Sequence, residues 1–168
     1  MNSGIKQILF ALFCVIVTSD VTGQDIDFDK TKLGLRFGQE IEHTSIGITA
    51  EIPLVAADGE LSINFAGPFT KFTFLYKVYK KLEFDDVPNL RYYYGFGPSI
   101  LSDGSAAQGG ESMFYGGEVS VGIDYGFDDN PLIVGLEIKP AYYFSGFGQY
   151  IAQFALFCKF DLADHKAK

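Results

Sequence analysis

The strongest constraint in this sequence is a period of two that recurs along most of its length. Residues 89–100, NLRYYYGFGPSI, show it plainly. Leu90, Tyr92, Tyr94 and Phe96 take alternate positions, with Arg91, Tyr93, Gly95 and Gly97 between them. Successive side chains of a strand point to opposite sides, so this segment reads as a β-strand with two unlike faces. One face is bulky and aromatic; the other combines a charge, a hydroxyl and bare backbone. Glycine weakens a strand that meets only water on that side. What lies against each face is the question the rest of the chain has to answer.

Eight segments carry the pattern: Lys32–Gly38, Thr44–Leu54, Glu60–Gly67, Thr70–Lys80, Asn89–Leu101, Met113–Phe127, Leu132–Phe144 and Gln149–Phe160. Turn-forming stretches separate them, among them AADG, AGPF, FDDVPN, DGSAAQGG, FDDNP and SGFG. No segment of the mature chain has a helical apolar period. Hairpins joined in sequence order are the simplest topology, which predicts an all-β, up-and-down antiparallel sheet.

The apolar faces are continuous, as in Ile46, Ile48, Ala50 and Ile52 or Val119, Val121, Ile123 and Tyr125. The opposite faces mix glycine with isolated charge, as in Gly34 and Arg36, Glu118, Ser120, Gly122 and Asp124, or Gly135, Glu137 and Lys139. A water-soluble barrel or calyx, binding a small apolar ligand, would need an outer face dense in Lys, Glu and Thr. These strands offer one or two charges each, spaced by glycine. An inverted barrel explains both faces: bulky residues meet lipid, and glycines make room for charges inside. Eight strands enclose an interior only wide enough for side chains, and a spanning strand needs about 9–11 residues.

Composition agrees. Ten Tyr, seventeen Phe and nineteen Gly favour strands and turns over helices. A net charge of −8 repels a polyanionic backbone and excludes nucleic acid as a partner. The first 23 residues carry Lys6 and then an apolar run from Ile8 to Val17, with Val21 and Gly23 as the small residues of a cleavage site. That run is too short for a spanning helix and reads as a secretory signal cleaved after Gly23. Cys14 lies inside the run behind Phe13, not at a lipidation site. Removing the signal leaves Cys158 as the single cysteine, so no internal disulfide staples the fold. The expected organisation is a signal peptide at 1–23, a lead-in at 24–31, the barrel at 32–160 and a tail at 161–168.

The sequence at this point resembles the small outer-membrane β-barrels of Gram-negative bacteria, of the eight-stranded OmpA/OmpX kind. The resemblance spans Lys32 to Phe160 and rests on the signal, the strand count, the dyad pattern and the closing ALFCKF. It implies residence in the cell outer membrane, contact with lipid and lipopolysaccharide, a monomer, and both chain ends in the periplasm. Residues 39–43, 67–69, 102–112 and 145–148 are then the outer loops. In that family a terminal aromatic, here Phe160, is the signal read by the barrel-assembly machinery. The chain departs from the pattern by continuing with DLADHKAK.

The inward charges Arg36, Glu51, Lys77, Arg91, Glu118, Asp124, Glu137, Lys139 and Lys159 form the clearest cluster. A gated conduit is one reading of them. Mutual pairing inside a closed barrel is favoured, because an unpaired buried charge is costly and the two signs nearly balance. Tyr76, Tyr92, Tyr125, Tyr142 and Tyr150 are the expected interface aromatics, rings with an apolar body and a wet hydroxyl. His43 and Ser45 offer a second, enzymatic reading. Some small outer-membrane barrels remove or add lipid A acyl chains with Ser, His and an acid, and Glu40 or Glu42 lies on the same stretch. One His-x-Ser pair without a supporting motif is weak, so the expectation is a non-enzymatic protein without cofactor or metal. DIDFDK lacks the glycine and closing glutamate of a calcium loop, and GFGP at 95–98 lacks the third glycine and helix of a phosphate loop. The expected role is structural or surface-interactive, with adhesion, envelope integrity, defence and narrow permeation left open.

Overall fold

The computed structural model describes residues 30–84, 87, 89–104, 113–144 and 150–162. The expected signal peptide, most of the expected lead-in, residues 105–112 and 145–149 in and beside the expected outer loops, and the tail beyond Leu162 lie outside the described residues. The strands are β1 (Lys32–Glu40), β2 (His43–Pro53), β3 (Asp58–Ala66), β4 (Phe69–Lys81), β5 (Leu90–Asp103), β6 (Met113–Gly126), β7 (Leu132–Tyr143) and β8 (Tyr150–Asp161). Each pairs antiparallel with its sequence neighbours, and β8 closes on β1, so the sheet is a closed barrel with no free edge.

The strands lie oblique to the barrel axis. The register runs from Gly34 through Thr49, Ser62, Thr73, Ser99 and Gly116 to Tyr143, beside the Tyr142–Tyr150 pair. Gly34 itself pairs with Lys159 on β8. The circuit has thus slipped by about ten residues, and such a stagger requires tilted strands.

Two tight turns shape the end of the barrel remote from the termini. Ala66 pairs with Phe69, leaving Gly67 and Pro68 as the turn; Gly67 has φ 58°, the conformation a type II′ turn demands at its first central position. Glu40 pairs with His43, leaving only Ile41 and Glu42. The expected loop at 39–43 is therefore a two-residue turn, with β1 and β2 running on to it.

Prolines interrupt two ladders. The β4–β5 register breaks between Thr73↔Ser99 and Tyr76↔Phe96, and the β6–β7 register between Glu118↔Ala141 and Val121↔Ile138. Pro98 and Pro140 fall in these breaks, where a residue without an N–H cannot donate to the ladder.

The molecule is inverted relative to a soluble barrel. Leu33, Leu35, Phe37, Ile46, Ile48, Phe72, Phe96, Val121, Leu136 and Leu156 are exposed on the outer wall. Arg36, Lys71, Lys77, Lys139, Lys159, Glu51 and Glu60 are among the most deeply buried side chains.

Candidate functional site

Every charge that the alternation placed inside is in an ion pair there. Among the described residues, seven cations, Lys32, Arg36, Lys71, Lys77, Arg91, Lys139 and Lys159, meet seven anions, Glu40, Glu51, Asp58, Glu60, Glu118, Asp124 and Glu137. The centre is Glu60. Its carboxylate lies 2.6 Å from Arg36 Nη2 and from Lys77 Nζ, 3.1 Å from Lys159 Nζ and 3.2 Å from Lys139 Nζ. Glu137 holds Arg36 Nη1 at 2.7 Å and accepts a 2.9 Å hydrogen bond from the Tyr93 hydroxyl. Glu51 holds Lys159 at 2.5 Å and Lys32 at 2.6 Å, and accepts from the Tyr79 hydroxyl at 2.5 Å.

A second cluster lies towards the end remote from the termini. Lys71 Nζ bridges Glu40 at 2.5 Å and Glu118 at 2.9 Å and donates to Gln153 Oε1 at 3.2 Å. Gln153 Nε2 in turn donates to Ser45 Oγ at 3.2 Å. Lys139, 3.6 Å from Glu118, links this cluster to Glu60. At the terminus-bearing end, Arg91 clasps Asp124 through two bonds of 2.8 and 2.9 Å, the fork geometry that suits a carboxylate.

Glycine makes this crowding feasible. A Cβ on Gly95 would stand 2.8 Å from Lys77 Cγ, and one on Gly34 would stand 2.7 Å from Lys159 Cγ. Aromatic rings fill the space at two other glycines, where a Cβ on Gly122 would collide with Tyr93 Oη and one on Gly135 with Phe157 Cζ. Lys77 lies 4.2 Å from the Tyr93 ring centroid and Lys159 lies 4.7 Å from that of Phe157.

Sequence reasoning missed Glu60, the centre of the network, together with Lys71, Glu40, Lys32 and Asp58. Parity was the available signal: Glu60 is two residues before Ser62, and Lys71 is two before Thr73. It also missed that Leu75, Tyr143 and Phe157 share the interior with the charges.

The residues of the enzymatic reading are separated by role. Ser45 is buried and bonded to Gln153, His43 packs against the Phe69 ring at 6.1 Å between centroids, and Glu40 points inward to Lys71. Among the described residues, no three His, Cys, Asp or Glu side chains converge as a metal site.

Tyr92, Tyr142 and Tyr150 are exposed on the outer wall, with Tyr76 and Tyr125 partly covered. Tyr142 pairs with Tyr150 at the end remote from the termini, where Tyr115 is a further exposed ring that the sequence reading did not single out. Tyr92 and Tyr125 lie at the other end. Phe160 pairs with Leu33 and Leu132 and completes the wall between β8, β1 and β7.

No protein-family model and no curated protein matches the chain. Solved structures do. The N-terminal β-barrel domain of Pseudomonas aeruginosa OprF aligns with a TM-score of 0.60 at 13% identity, over 79% of this chain and 98% of that domain. Neisserial surface protein A aligns with a TM-score of 0.51 at 11% identity, over 79% of this chain and 94% of the other. The outer-membrane enzyme PagL aligns at 0.47 and 11% identity, over 77% and 98%. The chain has the fold of the small eight-stranded outer-membrane β-barrels.

Proposed function

We propose that this protein is an integral outer-membrane barrel whose interior is closed by its own charges and whose role is structural or surface-interactive. The observation that carries the reading is the pairing of a continuous apolar outer wall with an interior in which seven cations and seven anions partner one another. An apolar wall suits lipid, and a closed sheet satisfies its backbone without water. Paired side chains at the centre leave no aqueous lumen in a barrel of this strand number. The non-enzymatic reading is supported by the engagement of Ser45 with Gln153 and of Glu40 with Lys71. Membrane lipid, lipopolysaccharide and the assembly machinery are the partners this reading implies.

The test joins two measurements. Purified protein should migrate differently on a denaturing gel before and after boiling, because a closed barrel resists detergent until heated. In planar bilayers it should show at most small, rare openings. Recovery as a soluble species without detergent defeats the membrane assignment, and steady porin-like conductance defeats the closed interior.

A further inference from the structure

The turn between β1 and β2 is built against the preferences of its own backbone. Ile41 and Glu42 have φ of 48° and 62°. A type I′ turn needs positive φ at both central positions, and Asn-Gly ordinarily supplies it. A β-branched residue in that region is an outlier, tolerated only where its surroundings over-determine it.

The surroundings of Ile41 are on the inside of the barrel. Its side chain packs on the buried cluster Leu101, Ala141, Tyr143 and Ile151, beside Phe69 and Phe114. These residues come from the ends of β4 to β8 remote from the termini, and they form an apolar layer across that mouth. Next to the layer lie the buried polar groups Lys71, Gln153 and Ser45: Lys71 pairs with Leu101 in the β4–β5 register, and Gln153 is two residues from Ile151.

The opposite mouth differs. Lys32, Asp58 and Arg91 keep 13, 20 and 25% of their side chains exposed there. A polar hollow of about 290 Å³ borders Arg91, lined also by Lys81, Asn89, Asp128, Asn130 and Asp161.

We propose that the β1–β2 turn is a cork: the left-handed placement of Ile41 seals the mouth remote from the termini, so the interior charge network meets solvent only through the terminus-bearing end. In this conformation the turn sends an apolar side chain into the layer. The inference rests on the closed-interior reading, but it concerns one mouth and not the centre.

Thiol labelling tests it, using a membrane-impermeant cationic methanethiosulfonate on purified protein in micelles. The background is Cys158→Ala, which removes the native thiol exposed on the outer wall. Asp58→Cys should label readily and Ser45→Cys should resist. Adding Ile41→Asn, which suits the turn but withdraws the cork, should speed labelling at Ser45→Cys at least tenfold. Adding Glu42→Gly instead, which relaxes the turn and keeps Ile41, should preserve protection. The boiling-dependent gel shift reports that each variant is folded, and Ile41→Gly replaces Ile41→Asn if that variant loses the shift. Rapid labelling at Ser45→Cys with Ile41 in place, or equal rates with and without it, overturns the cork; so does loss of protection on Glu42→Gly. Failure of the closed interior appears elsewhere, as steady conductance of the unmodified protein.

Discussion

Leu75 and Leu136 are the same residue on central stretches of antiparallel strands, and their surroundings share nothing. Leu75 is fully buried and pairs across the β3–β4 ladder with Glu60. Leu136 is 51% exposed on the outer wall, between Ile123 and Leu156. In a soluble protein the leucine beside a carboxylate would be the surface one. Here the faces are reversed, so ionic pairing and packing both belong to the interior, while the outer wall is apolar. The lesson is that side-chain chemistry does not locate the core; the partner lying against each face does.

The comparison breaks most severely at Glu60. Glu60→Gln removes the carboxylate shared by four buried cations, which keep Glu51, Glu118 and Glu137 as their remaining partners. Removing one partner of a buried pair costs about 3–5 kcal/mol, because the remaining charge is left uncompensated. Asp124→Asn removes the partner of Arg91, which is one-quarter exposed although Asp124 itself is buried, and water reaching the guanidinium should make that loss smaller than the loss at Glu60. Urea unfolding in lipid vesicles measures both. Equal costs would mean that the central network is hydrated and that the interior is not closed.

The two leucines supply the next test. Leu75→Ala leaves a void among fixed side chains, and such truncations cost about 2–5 kcal/mol. Leu136→Ala removes contacts that lipid chains replace, so it should cost clearly less. Arginine reverses the view from outside: Leu136→Arg or Val121→Arg places a charge near the bilayer middle, at about 2–4 kcal/mol. If Leu136→Ala proves as damaging as Leu75→Ala, the outer wall is packed against protein and the barrel is not lipid-facing there.

These residues also mark where sequence reading stops. The strands and their two faces were legible because the period of two is local: each residue's face follows from its neighbours. The identity of ion partners was not, since Arg36 on β1 meets Glu60 on β3 only through the stagger of the whole barrel. Leu75 escaped because an apolar residue between Thr73 and Lys77 looks like an interruption of the polar face, whereas inside the barrel it fills volume beside charges. The turn at Ile41 and Glu42 carries no glycine, asparagine or proline, so its tightness left no chemical mark, and 39–43 read as a loop. The wall tyrosines were legible as amphipathic rings, but their heights depend on register.

Those heights give the smallest effect. Tyr125 packs edge-on against Phe127 at 5.1 Å between centroids near the terminus-bearing end, and Tyr142 against Phe144 at 5.4 Å near the other. Each is a T-shaped pair of the kind worth about 0.5–1.5 kcal/mol beyond its buried area. Phe154 is also exposed on the wall but lies away from both ends of β8, level with Ile138 and Gln39 on its neighbours. If position along the wall decides what an aromatic ring contributes, Tyr125→Leu and Tyr142→Leu should each lose about 0.5–1.5 kcal/mol, and Phe154→Leu should be nearly silent in the same vesicle assay. A loss at Phe154 equal to that at the tyrosines would show that the wall has no interfacial bands, and that its aromatic residues act only through the area they cover.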